Sequence, residues 1–179
     1  MQLIITETDE NITYWRERPY LNYNTKSLLD RVDVIIVPEE NFRGHETPLF
    51  PSNMMELYDA LKEHLNVEAA INDEDYREVS LNSKKHRIGK FVVVMLAAPL
   101  FVTVLGNYIS ERLKNEDPKD EIEVEIIVNG DNGKSKSIKY QGTARHFDKV
   151  AETVKDIVNG EHNEHRTDSA QSPASHRTK

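Results

Sequence analysis

The chain has 179 residues, a net charge of -8 and no cysteine. This length suits one domain or two small ones, and the missing cysteine excludes disulfides and thiolate metal sites. The acidic balance argues against nonspecific nucleic-acid binding, which depends on neutralising phosphates, so we expect no nucleic-acid partner. The opening MQLIITETDE lacks the basic and long apolar segments of a secretory signal.

Residues 1–83 are predicted to form a small α/β unit. Apolar runs at 3–5, 33–38 and 67–71 predict strands, and DVIIVP at 33–38 is typical of a strand buried on both faces. Asn53 and Glu56 have capping-box spacing at the start of a predicted helix. The aromatic and basic segment NITYWRERPYLNYN has two interpretations, a binding surface or a loop whose rings pack onto the sheet.

A polar loop, EENFRGHETPLFPSN, follows the strand predicted at 33–38. Ligands of open α/β sheets bind at the carboxyl ends of strands. The loop's candidate ligand- or partner-binding residues are Glu39, Glu40, Asn41, Arg43 and His45. A solvated loop without function is the other interpretation. An enzyme acting at Glu39, Glu40 and His45 is a third, weaker alternative.

The stretch 91–109, FVVVMLAAPLFVTVLGNYI, is the most apolar part of the chain, and a single helix is predicted over residues 84–114. A membrane span needs about 20 mostly apolar residues. The basic residues that precede the stretch place its N-terminal side in the cytoplasm; they are Lys84, Lys85, Arg87 and Lys90. These features predict a single-pass protein of the inner membrane.

The same stretch also fits a soluble assembly in the cytoplasm. From Thr103 onward, polar residues recur at spacings of three and four and so share one helix face, which a helix surrounded by lipid does not need. In that alternative the helix is buried between subunits. Ala97, Ala98 and Gly106 are small enough for close helix–helix approach and form the predicted interface. We therefore expect a homo-oligomer.

Residues 115–160 are predicted to form a ββα module. EIEVEIIV alternates as a half-buried strand does, NGDNG supplies a hairpin turn, and a helix is expected over 144–158. Residues 161–179 lack apolar periodicity and are predicted to be disordered. NGDNG lacks the later acidic ligand of an EF-hand, and the pair His162 and His165 lies in the tail. No metal or cofactor is expected.

Residues 90–160 also carry a resemblance in layout. A long apolar helix, then EIEVEIIVNGDNGKSKSIKYQG, then an amphipathic helix resembles the small effector-associated components of prokaryotic conflict and defence systems. The resemblance is one of layout and not of motif, and the N-terminal half has no part in it. It implies a non-catalytic adaptor or effector, and no residue roles carry over.

The expected architecture is an α+β fold in three parts: the N-terminal unit, the central helix and the ββα module. The expected function is that of a non-enzymatic, membrane-anchored sensor, effector or adaptor of a bacterial system, with a possible protein partner. The alternative is a soluble, oligomeric interaction subunit.

Overall fold

Strands from both halves of the chain pair in one mixed sheet. The structure is a computed structural model that describes residues 1–80, 85–113, 120–130 and 133–168. The strands within these ranges are β1 (Gln2–Thr8), β2 (Val34–Val37), β3 (Phe50–Pro51), β4 (Val67–Ala69), β5 (Glu78–Val79), β6 (Lys85–Val94), β7 (Glu121–Asn129) and β8 (Ser135–Thr143). Six of them form a sheet in the order β1-β8-β7-β6-β2-β4, and β3 pairs with β5. The predicted α+β fold is confirmed.

The pairing of β7 and β8 is the predicted hairpin, but these strands have neighbours on both sides. Strand β6 pairs with β7 in parallel, and β1 pairs with β8 antiparallel. The sheet therefore crosses the boundaries predicted near residues 84 and 115. Residues 131–132, within the expected turn, and residues 114–119 lie outside the described residues.

The apolar stretch divides between a strand and a helix. Its first residues belong to β6, a 3-10 turn follows at Met95–Ala97, and helix α4 covers Ala98–Arg112. The prediction of one helix over 84–114 is wrong for the first part, because the run from Phe91 to Val94 suits a strand buried on both faces. Pro99 lies in the first turn of α4, where its missing N–H disrupts no helical hydrogen bond. Among the described residues, no helix is both long and apolar enough to cross a bilayer.

Helices cover most of one face of the sheet and part of the other. The remaining helices are α1 (Ile12–Arg16), α2 (Tyr23–Leu29), α3 (Met54–Lys62) and α5 (Asp148–Asp168). Helices α3, α4 and α5 bury the larger core with side chains such as Leu57, Phe101 and Val150. Helices α1 and α2 bury a smaller core with Trp15 and Leu29. The rest of this second face, over β1, β8, β7 and the first half of β6, holds the candidate site.

Helix α5 continues past its predicted end. The tail expected to be disordered from residue 161 is helical as far as Asp168, and residues 169–179 lie outside the described part of the chain. Asn159 and Gly160 do not end the helix, since a single glycine costs only about 1 kcal/mol inside one. The side chains of His162 and His165 are likewise outside the described set.

Candidate functional site

A cleft with a volume of about 510 Å³ lies on the uncovered part of the sheet. Its floor is made by side chains of β6, β7, β8 and β1, and its wall by α1 and the segment that follows β2. The volume is within the roughly 300–1,000 Å³ that small-molecule sites occupy. Unlike most such sites, this one is lined mainly by charged and amide side chains.

Charges of opposite sign alternate across the floor of the cleft. Lys90, Glu125 and Lys139 lie opposite one another on β6, β7 and β8. The Nζ atoms of Lys90 and Lys139 are 3.8 Å and 3.7 Å from Oε1 of Glu125. Lys90 also pairs with Glu10, which lies just before α1. This second pair ties the wall of the cleft to its floor.

A β-bulge places Arg87 on the same face as Lys90, although a regular strand would direct residues three apart to opposite faces. Arg87 lies opposite Glu123, whereas Gly89 and Lys90 lie opposite the next two residues of β7, so Ile88 is the extra residue. Gly89 has a φ of 131°, a conformation that favours glycine. The bulge therefore doubles the positive charge that β6 presents to the cleft.

Glu39 and Glu40, two of the five residues predicted from the sequence, lie in the wall. Arg87 Nη1 donates to Glu39 Oε2 at 2.8 Å. Arg18 donates to both oxygens of Glu40, at 2.8 Å from Nε and 2.7 Å from Nη2, which fixes both side chains. The Tyr20 hydroxyl is buried and has no hydrogen-bond partner among the described residues. Burial, together with the charge of Glu40, raises the pKa of Tyr20.

The other three predicted residues do not line the cleft. Asn41 and Arg43 have φ values of 55° and 50° and turn the chain away from the strand end. His45 is exposed. The loop then returns, and the backbones of Glu39 and Leu49 exchange hydrogen bonds of 2.8 and 3.0 Å. The structure thus brings two of the five candidates together, at the carboxyl end of β2 as predicted.

The indole ring of Trp15 stands between the cleft and the smaller core. Trp15 is 4% exposed and is the only tryptophan in the chain. Lys90 Nζ lies 5.4 Å and Arg18 Cζ 5.7 Å from its ring, within the range of cation–π attraction. Its Nε1–H has no acceptor in the part of the chain that the structure describes. Of the two interpretations of the aromatic segment, packing onto the sheet holds for Trp15, which also lines the cleft.

Glu123 differs from the other carboxylates of the cleft. It is exposed on the floor, and within the described residues it makes no hydrogen bond or ion pair. Sequence reasoning did not name it as a site residue, nor did it name the other charged floor residues, which are Arg87, Lys90, Glu125 and Lys139. The signal was present in EIEVEIIV, whose alternation assigns Glu121, Glu123 and Glu125 to one sheet face.

The small residues predicted as an interface between subunits pack within this chain. Ala97 and Ala98 are 8% and 0% exposed, which leaves them little surface for a second chain. Gly106 faces Phe147, the residue before α5, and a Cβ added to it would lie 3.4 Å from Cδ1 of that ring. Helices α4 and α5 pack against each other within this chain. The interface between subunits at these three residues stays a prediction.

Among the described side chains, no group of three or more His, Asp or Glu residues is placed to hold a metal ion. Comparison with known proteins gives no relative: no family model, curated protein or solved structure matches the chain.

Proposed function

We propose that this protein is a non-enzymatic recognition protein. Its cleft binds a polar ligand by pairing with a cationic group of that ligand. The observation that carries the proposal is the unpaired carboxylate of Glu123 in a site where the other charges are paired. Arg87 and Lys90 are held by Glu39, Glu10 and Glu125. A cation from a ligand can therefore pair with Glu123 without breaking an existing ion pair.

The ion pairs also support recognition by holding the cleft in one shape before a ligand arrives. Arg18 and Glu40 join the segment after α1 to the segment after β2, while Lys90 and Glu10 join β6 to the turn before α1. Side chains fixed in this way lose little freedom when a ligand binds, which favours affinity. The neighbouring amides of Gln2 and Gln141 offer donors and acceptors for its uncharged groups.

The same contacts weaken the alternative of an enzyme acting at Glu39, Glu40 and His45. The two carboxylates are engaged by Arg87 and Arg18, and His45 is not part of the lining. General acid–base catalysis needs groups within hydrogen-bond reach of the same proton, and this set does not converge. The roles of sensor, effector or adaptor, the bacterial system and the inner-membrane location stay predictions.

Trp15 provides a direct readout, since the one tryptophan of the chain forms part of the cleft wall. We expect agmatine, which is cationic, to change its fluorescence in a saturable way. Glutarate, which is anionic, should leave the fluorescence unchanged at equal ionic strength. A charged hydrogen bond contributes about 1.5 kcal/mol, so Glu123→Gln should weaken agmatine binding about tenfold.

The matched control is Glu152→Gln, because Glu152 is an exposed glutamate of α5 outside the cleft. It should bind agmatine as the wild type does. Equal responses of the wild type and Glu123→Gln, or a response to glutarate as strong as that to agmatine, would refute the proposal.

A further inference from the structure

Strand β1 forms an edge of the six-stranded sheet, and its outer side has no neighbouring strand in the described ranges. None of its seven residues is buried, and Ile4 and Ile5 are 40% and 50% exposed. Long edge strands usually carry lysine, proline or a bulge, which prevent pairing with other chains. QLIITET has no lysine or proline, and it pairs with β8 without a register shift.

The opposite edge of the sheet is different. Strand β4 has three residues, and shortness is itself one of the ways in which proteins protect an edge. The two edges therefore differ in how readily they accept another strand. We therefore expect a strand of another chain to pair with β1 and not with β4.

We propose that β1 pairs antiparallel with β1 of a second copy of this chain, with Ile5 at the centre of a two-fold symmetric dimer. This register uses all seven residues and keeps each side chain on the sheet face that it occupies in the monomer. Leu3 then lies opposite Glu7 of the partner subunit, so the one charged residue of β1 does not meet its own copy. Like charges directly opposite each other would destabilise the pair.

The sheet face that carries the larger core also supports pairing with a second copy. Leu3 and Ile5 lie beside Tyr140 and Ile138 of β8, which are 1% and 0% exposed, yet Ile5 itself is half exposed. The apolar face of the sheet thus continues beyond the area that the chain's own helices cover. A second copy would place its Ile5 against this one and bury both.

The dimer would also join two clefts. Gln2 and Ile4 form the rim of the cleft on the opposite face of β1. In the proposed register Thr8 and Thr6 of the partner subunit lie beside them. The two clefts would then share one continuous sheet face, although the dimer itself does not depend on any ligand.

The absence of cysteine from the sequence allows a direct test by cross-linking. Directly opposite residues of an antiparallel pair have Cβ atoms about 4.5–5.5 Å apart, so Ile5→Cys should form a disulfide-linked dimer on mild oxidation. Leu96→Cys is the control, because Leu96 is 81% exposed and lies far along the chain in the turn before α4. It should remain largely monomeric on a non-reducing gel. Equal cross-linking of both variants would overturn the proposed register.

Light scattering of the unmodified chain is the second measurement. A dimer mass at micromolar concentration is expected, and Ile5→Lys should give a monomer with an unchanged circular dichroism spectrum. Hydrogen exchange at the β1 amides should slow as the protein concentration rises. A monomer mass throughout, with β1 exchange independent of concentration, would exclude a second copy and leave the edge to an extended peptide of another protein.

Discussion

The side-chain amide of Asn72 donates a hydrogen bond of 2.7 Å to the backbone carbonyl oxygen of Tyr20, 52 residues earlier in the chain. The carbonyl oxygen of the same amide accepts from the backbone N–H of Asn22 at 2.9 Å and from the hydroxyl of Thr25 at 3.1 Å. Asn72 is 6% exposed. One side chain therefore joins the start of α2 to the segment that follows β4.

We expect Asn72→Ala to lower the free energy of unfolding by about 2 kcal/mol or more. The substitution would leave several partly buried donors and acceptors without partners, and each such group costs about 1–3 kcal/mol. Urea denaturation followed by circular dichroism measures the change. Asn24→Ala, at an exposed position of α2, should change the free energy by less than about 0.5 kcal/mol. Equal free energies of unfolding of the two variants would show that the Asn72 hydrogen bonds do not stabilise the fold.

Elements with a clear local pattern could be predicted from the sequence, whereas their partners could not. The run VIIV correctly predicted β2, and the alternation in EIEVEIIV correctly predicted β7. The run FVVV is apolar throughout, and periodicity alone does not separate a buried strand from a buried helix. The pairing of β1 with β8 depends on residues more than a hundred positions apart, for which the local sequence has no signal.

Only part of the cleft wall could be predicted from the sequence, because the floor depends on which strands pair. Glu39 and Glu40 follow a buried strand, and this position is itself a general indicator of ligand sites. The floor depends on strand neighbours and on the bulge at Ile88, which turns Arg87 toward Glu39. The one-residue bulge in β6 therefore determines which charged side chains form ion pairs. The pattern of apolar residues in the sequence does not predict this bulge.

Helix α3 begins after Asn53 as its sequence predicts, but a different residue caps it. Asn53 has a φ of 67° and makes no capping hydrogen bond with its side chain. Glu78 instead accepts from the backbone N–H groups of Asn53 at 2.8 Å and Met55 at 3.0 Å, and from the Tyr76 hydroxyl at 2.7 Å. Burial acts to raise the pKa of Glu78, but these hydrogen bonds outweigh it and hold the pKa below its ordinary value.

This lowered pKa predicts a pH-dependent contribution to stability. Because the carboxylate is favoured in the folded state, its contribution is fully present above the ordinary glutamate pKa of about 4.3. The contribution is lost as the pH falls through the lower folded value. Glu78→Gln should therefore unfold at a lower temperature than the wild type at neutral pH, and the gap should narrow below about pH 4. A constant gap, or the same effect in the exposed loop variant Glu46→Gln, would contradict this account.

Substitution of Gly106 can show whether this residue is needed for packing inside one chain or for contact between two chains. A leucine at this position would collide with the ring of Phe147, which is 4% exposed and packs edge-on against Tyr140. We expect Gly106→Leu to destabilise the fold by about 1–3 kcal/mol, as overpacking of cores does. Asn107→Leu, one position further on the exposed side of α4, is the matched control. A change in oligomer mass without a loss of stability would instead assign Gly106 to an interface between chains.

Gly89 links the stability of β6 to the shape of the cleft. Its φ of 131° is strained for any residue with a Cβ, and that Cβ would lie 2.5 Å from Cε of Met54. The Met54 side chain can move aside, but the backbone strain remains, and such strain costs about 1–3 kcal/mol. We expect Gly89→Ala to lower thermal stability and, by disturbing the bulge, to weaken agmatine binding through displacement of Arg87 and Lys90. Gly160→Ala, at a helix position where no atom within the described part of the chain, apart from the helix's own backbone, lies within 4 Å of the added methyl, should not lower stability. A Gly89→Ala protein with unchanged stability and binding would show that the bulge does not hold the floor of the cleft in place.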